Sequence, residues 1–172
     1  LLGPGVNIAR TALNGRNFEY FGEDPELASH MTVAHIRGVQ SQGVMATVKH
    51  FAANNQEIDR MTVSAQVDSR ALHEIYLPAF EAAVKDGQVW SVMCAYNKLN
   101  GVYACENAFL LDQLLRRDWG FRGLVMSDWT ATHSTVSSIR AGMDLEMPKP
   151  EHFKPEALQR ALAANEITPA HL

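Results

Sequence analysis

An α/β fold built around a parallel sheet is predicted by three observations. Short apolar runs alternate with helix-patterned segments along the chain, the order that parallel sheets require. Four of those runs follow a glycine, at Gly43, Gly87, Gly123 and Gly142, each placed to close the helix before it. No glycine-rich phosphate fingerprint follows any run, which argues against a dinucleotide-binding sheet.

Taken in order, Leu1 to Ile8 reads as a strand interrupted by Gly3, Pro4 and Gly5, and a long loop from Ala9 to Gly22 carries Arg16 among aromatics. Asp24-Pro25-Glu26 opens a helix. Asp24 caps it, Pro25 suits the first helical position, and Leu27, Met31 and Ala34 follow at helical spacing toward an end near Gly43. Met45 to Val48 is a short strand ending in Lys49-His50. Phe51 to Val67 is a second polar loop, holding Asn54-Asn55-Gln56-Glu57 and Asp59-Arg60. Leu72, Tyr76, Ala79 and Ala83 form the stripe of the next helix, which Pro78 kinks. Val89 to Ala95 is a third strand, ending in Tyr96-Asn97, and Leu110, Leu111, Leu114 and Leu115 mark a helix from Asn107 to Asp118. In Gly123 to Trp129, Leu124, Val125 and Met126 read as the fourth strand, with Asp128 and Trp129 just past its end. A short helix from His133 to Arg140, a last strand from Gly142 to Met147 and a helix from Pro155 to Ala164 complete the chain. About five strands are visible, and the pattern favours an incomplete (β/α)8 barrel of the TIM type, a fold of eight strands and roughly 250 residues. Residues 1–172 are read as one partial barrel domain, with the unseen strands expected mostly before Leu1.

At 172 residues and 47% hydrophobic, the chain buries one substantial core rather than two. Lys and Arg number 15 against 19 Asp and Glu, a net charge of −4, so the electrostatic footprint of a nucleic-acid or anionic-membrane binder is missing. A neutral small molecule is the expected partner. The composition suits an exported protein and a cytoplasmic one alike. Cys94 and Cys105 flank the turn signal Asn100-Gly101 and fit either a bond across that loop or two reduced thiols. His73-Glu74 lacks the second histidine of a zinc motif, so neither metal nor cofactor is expected.

Chemistry in α/β folds gathers past the carboxyl ends of strands. Asp128 stands there, after Leu124-Val125-Met126-Ser127, with Trp129 beside it. A carboxylate can attack or stabilise a cationic sugar carbon while an indole lies against the sugar's C–H face. The same residues also suit a helix N-cap. In a barrel, Lys49-His50, Met93 to Tyr96 and the edge near Glu146-Met147 converge on one rim, with Arg16 and Arg60 joining from loops. Such cations would hold a polyhydroxylated neutral substrate and keep Asp128 ionised. Plainer accounts stand beside these: Lys49 snorkels, His50 is structural, Arg16 pairs with Glu19 or Glu23, Arg60 pairs near Asp59, and Tyr96 and Met93 fill the core.

Taken together, several motifs resemble the barrel-domain signatures of glycoside hydrolase family 3, its β-glucosidases above all. They are Gly15-Arg16-Asn17-Phe18-Glu19, Glu23-Asp24-Pro25, Lys49-His50-Phe51 through Glu57, Met93-Cys94-Ala95-Tyr96-Asn97, and Gly120-Phe121-Arg122-Gly123 through Ser127-Asp128-Trp129. They occur in that family's order and cover nearly the whole chain. The resemblance implies a retaining double displacement with Asp128 as nucleophile. It also implies that Arg16, Lys49, His50, Arg60 and Tyr96 hold the terminal sugar's hydroxyls while Met93 and Trp129 shape the walls of its subsite. The implied substrates are β-linked glucosides or oligosaccharides, and the Asn54 to Glu57 loop looks more like β-glucosidases than β-xylosidases.

In multidomain members the general acid/base is a glutamate on a following α/β sandwich domain, which these residues do not include. The N-acetylglucosaminidase branch takes it from an Asp-x-His, and Asp68-Ser69-Arg70 has arginine where histidine is needed. An early substrate-binding aspartate is expected before Leu1. The isolated 172 residues are therefore expected to be inactive. Two rivals come from other classes: an aldolase-type barrel with Lys49 as its Schiff-base lysine, and a non-catalytic sugar-binding or structural piece.

Overall fold

The first long helix starts where its cap demands. In the computed structural model, which describes residues 1–172, the Asp24 carboxylate accepts the N–H groups of Glu26 (2.8 Å) and Leu27 (3.2 Å), and Pro25 opens α1, Pro25–Gln40. Its buried stripe is Ala28, Thr32 and Ile36, not the expected Leu27, Met31 and Ala34, all of which are exposed. Small residues at Ala28 and Thr32 let α1 approach its neighbours closely, and hydrophobicity alone pointed to the wrong face.

Three strands form the main sheet: β1 (Thr47–Phe51), then β3 (Ser91–Cys94) and β6 (Leu124–Ser127), all parallel in the order β1-β3-β6. Between β1 and β3 lies the two-residue β2, Ser64–Ala65. The expected first and last strands are present only as single parallel bridges, Gly5 to Lys49 and Met126 to Leu145. Gly3 and Pro4 do pair through their carbonyls, which accept from Thr47 and Lys49, but the Gly-Pro-Gly run gives no continuous ladder. Five parallel segments therefore lie side by side in chain order.

Helices connect the strands. The segment expected as one kinked helix is α2 (Ser69–Ala71), a wide π turn over Leu72–Tyr76 and α3 (Pro78–Lys85), which packs against α1. Pro78 has no N–H to give, and the Leu77 N–H reaches back to Leu72 O, so the break falls just before it. Leu110, Leu111, Leu114 and Leu115 are all buried on a second π-helix, Phe109–Asp118. The helices α4 (Val136–Ala141) and α5 (Pro155–Ala163) follow β6. None of the helices is long and apolar enough to cross a membrane.

Only two of the four glycines expected to close helices have left-handed backbone. Gly142, at φ 102°, ends α4. Gly123 is needed for another reason: a Cβ there would lie 2.2 Å from the Trp90 carbonyl oxygen, so only glycine lets β6 begin against β3.

A small second sheet was hidden in the polar stretches. β2 pairs in parallel with β4 (Lys98–Leu99), and β4 turns through Asn100-Gly101 into the antiparallel β5 (Val102–Tyr103). Asn100 and Gly101 both have positive φ, as a tight hairpin requires. Cys94 and Cys105 are bonded across this hairpin, their Cα atoms 5.2 Å apart, which settles the question the sequence left open.

Val48, Phe51, Val92, Cys94 and Val125 join the main core, where Phe51 packs on Phe80 and Trp119 at ring separations of 5.1 and 5.8 Å. Met93 and Met126, opposite one another in register, are buried but stand outside that cluster, as alternation along a strand dictates.

Candidate active site

Asp128 follows β6 directly, its N–H tied to Cys94 O at the end of β3 (3.0 Å). It caps no helix, since α4 begins only at Val136. Its Oδ1 accepts the Trp129 N–H at 2.8 Å, while Oδ2 has no hydrogen-bond partner in the protein and lies 3.4 Å from His50 Nε2. The residue is only 6% exposed. Burial raises the carboxyl pKa, and this outweighs the opposing pull of the Trp129 N–H, the Tyr96 hydroxyl, Arg16 and Lys49. Arg16 and Lys49 do favour the ionised form, as the sequence suggested, but desolvation is the larger effect.

His50 lies at the end of β1 and is 1% exposed. The Asn7 side chain clamps its backbone from both sides, donating to His50 O (2.9 Å) and accepting from His50 N–H (2.8 Å). Burial, with Arg16, Lys49 and Arg60 nearby, pushes its pKa down to about 2, so the ring is neutral. Arg16 Nη2 is 3.0 Å from Nε2 and can only donate, which makes Nε2 the acceptor and places the proton on Nδ1, 3.3 Å from the Tyr20 hydroxyl.

Around this pair runs a chain of alternating charges. Lys49 Nζ is 3.4 Å from Glu19 Oε2, and Glu19 Oε1 is 2.5 Å from Arg16 Nε. Arg16 Nε is 3.8 Å from Glu57 Oε1, and Glu57 Oε2 is 2.8 Å from Arg60 Nη1. The Arg60 guanidinium then lies over the Tyr96 ring, 4.6 Å from its centre. Burial and Asp128 push the Tyr96 phenol up to about 12, so it remains a proton donor.

Six of the eight residues singled out in the sequence are therefore brought together: Asp128, His50, Arg16, Lys49, Arg60 and Tyr96. Trp129 is 39% exposed beside Asp128, and Met93 is buried on β3 facing away from the main core. The Glu146-Met147 edge does not join them. Glu146 is buried and accepts the N–H groups of Glu151, His152 and Phe153, which folds the following loop. Asp68 is also structural, capping α2 through the Ala71 N–H, and Arg70 pairs with Glu74. No cluster of three His, Cys, Asp or Glu side chains suits a metal ion.

Sequence reasoning placed Glu19 only as a bland partner for Arg16 and missed Glu57, Tyr20 and Asn7. The signal for both glutamates was their spacing of three residues from an arginine, Arg16 to Glu19 and Glu57 to Arg60.

Fold and site together define an α/β protein with a carboxylate centre at the strand ends. A family model described as the glycosyl hydrolase family 3 N terminal domain matches residues 1–172, and the chain belongs to that family. It is 56% identical to a β-glucosidase of Rhizobium radiobacter over 167 residues, which is 97% of this chain and 20% of that protein. It is 52% identical over its full length to an exo-α-(1→6)-L-arabinopyranosidase of Bifidobacterium breve, covering 22% of it. The solved structure of β-glucosidase 3B from Thermotoga neapolitana in complex with glucose matches 99% of the chain with a TM-score of 0.95 and 49% identity, over 25% of that structure. The chain thus spans about a fifth to a quarter of the length of these relatives.

Proposed function

We propose that this chain is part of a (β/α)8 barrel in a longer retaining β-glycosidase that removes terminal β-D-glucosyl residues, with Asp128 as the nucleophile. The observation that carries this is the Asp128 Oδ2 atom, unpartnered at a strand end and flanked by His50, Arg16, Lys49 and Tyr96. In the first step Oδ2 bonds to the anomeric carbon as the bond from that carbon to the leaving oxygen breaks. Water then attacks the same carbon, passing its proton to the carboxyl that had protonated the leaving oxygen, and the Asp128 carboxylate is released. Partial desolvation raises the energy of the ionised carboxylate and so favours its attack, while Arg16 and Lys49 keep enough of it ionised. Arg16, Lys49, Arg60, His50 and the Tyr96 hydroxyl hold the sugar's hydroxyls, and Trp129 and Met93 form walls.

Double displacement needs a second carboxyl about 5 Å from the first to protonate the leaving oxygen. Glu19 and Glu57 are both committed to ion pairs with the cations, so the acid is supplied from outside these 172 residues, in keeping with the share of the relatives that the chain covers. Lys49 is engaged by Glu19, which disfavours a Schiff-base role.

The test is to treat the whole protein with a 2-deoxy-2-fluoro-β-glucosyl fluoride and map the adduct by peptide mass. A label on Asp128, and no turnover by the 172 residues alone, are the expected results. A label elsewhere, or lysine trapping at Lys49 by borohydride with a carbonyl substrate, sinks the proposal. A pyranoside lacking the exocyclic carbon is a second substrate class, favoured by the arabinopyranosidase relative. Comparing kcat/KM for aryl β-D-glucopyranoside and aryl α-L-arabinopyranoside decides between them.

A further inference from the structure

Resting on the function proposed above, we infer that Glu57 is a positioning residue that sets the spacing between Arg16 and Arg60, and that position 15 is glycine so that Glu57 can reach both.

The two arginines come from different loops, Arg16 from the one before α1 and Arg60 from the one after β1, and nothing else ties one guanidinium to the other. Glu57 gives one oxygen to each, Oε2 to Arg60 Nη1 at 2.8 Å and Oε1 toward Arg16 Nε at 3.8 Å. That Oε1 is buried and makes no hydrogen bond, so it is held in place for its charge rather than for a bond of its own. Without it, two like charges, both near enough to His50 to depress its pKa, would lose the carboxylate they share.

A second observation is independent of charge. A Cβ on residue 15 would lie 2.7 Å from Glu57 Cγ and 3.2 Å from its Cβ, and Gly15 has φ 91°. Any side chain at this position pushes Glu57 off the line between the arginines. The neighbouring residue is Arg16 itself, so one backbone position serves both ends of the contact.

A stability role is the competing account. The Glu57–Arg60 pair spans three residues, and its side chains are 35% and 36% exposed, the setting in which ion pairs contribute little to folding. What Glu57 controls is instead the separation of two donors that must match hydroxyls on one rigid ring, an interaction made alike in ground and transition states.

The experiment uses the whole protein with p-nitrophenyl β-D-glucopyranoside. Glu57→Gln keeps the shape and the hydrogen bond to Arg60 but removes the charge. Its KM should rise roughly tenfold with kcat changed less than about threefold, and its Tm should stay within about 2 °C. Glu57→Asp restores the charge but not the reach and should fall between the two. Gly15→Ala should raise KM in the same way, and the double variant Gly15→Ala/Glu57→Gln should be no worse than the worse single, because both act on one contact. An unchanged KM in Glu57→Gln, a loss confined to Tm, or additive effects in the double variant overturns the inference. Fluorosugar labelling of the unsubstituted protein separates the two failures: a label on Asp128 with an unchanged KM removes Glu57 alone, whereas a label elsewhere removes the glycosidase reading itself.

Discussion

Asp128, the nucleophile proposed above, is held under opposing demands: burial makes its charge costly, while the Trp129 N–H, the Tyr96 hydroxyl, Arg16 and Lys49 favour it. Asp128→Asn removes that charge while leaving an acceptor for the Trp129 N–H. Hydrolysis of an aryl glucoside by the whole protein should therefore fall at least about a thousandfold. The same variant should gain about 1 kcal/mol at pH 7, seen as a rise of roughly 2–4 °C in a melting curve. His50 makes a contribution of opposite sign on acidification. Its native pKa of about 2 lies below the ordinary 6.5. Between those values the unfolded chain binds a proton that the native ring refuses, so stability is full above pH 6.5 and is lost as the pH falls. The slope from this group reaches at most about 1.4 kcal/mol per pH unit. Asp128, with its raised pKa, works the other way in the acid range. In urea titrations from pH 7 to pH 4, His50→Gln should flatten the acid loss. Most of the site was legible because strand ends announce themselves: an apolar run followed by Lys49-His50, Tyr96 or Asp128 is conspicuous. Glu19 and Glu57 were not, since they sit in loops and pair with the cations rather than follow a strand, and the sign of the Asp128 shift depends on how much water remains, which no spacing encodes.

At the level of elements, caps and turns carried more information than hydrophobic stripes. Asp24-Pro25 fixed the start of α1 and Asn100-Gly101 the hairpin, because each answers a local backbone need. The buried face of α1 was misread because Ala28 and Thr32 are chosen for size, and the two outer strands proved to be single bridges because pairing depends on neighbours distant in sequence. Gly123 shows the same limit. Its place before a strand suggested a helix end, whereas its reason is the Trp90 carbonyl that β6 must pass. Gly123→Ala should cost about 2–4 kcal/mol, measured as a lower urea midpoint, whereas Gly120→Ala has open space around its Cβ and should cost only its backbone strain, about 1 kcal/mol.

Across the whole molecule, the parallel order of the segments and the bond between Cys94 and Cys105 hold the site's loops to the sheet. The bond joins residues 11 positions apart, around a loop that includes Tyr96 and the β4–β5 hairpin. Replacing both cysteines by alanine should cost about 2–3 kcal/mol, and thiol titration of the unfolded, unreduced protein should find no free sulfhydryl. Leu145, which is exposed, pairs with Met126 on one side only, whereas the opposite border at Gly5 is buried against Glu19 and Tyr20. The sheet therefore keeps one open border, beside Leu145, as the side where a further extended segment can be added.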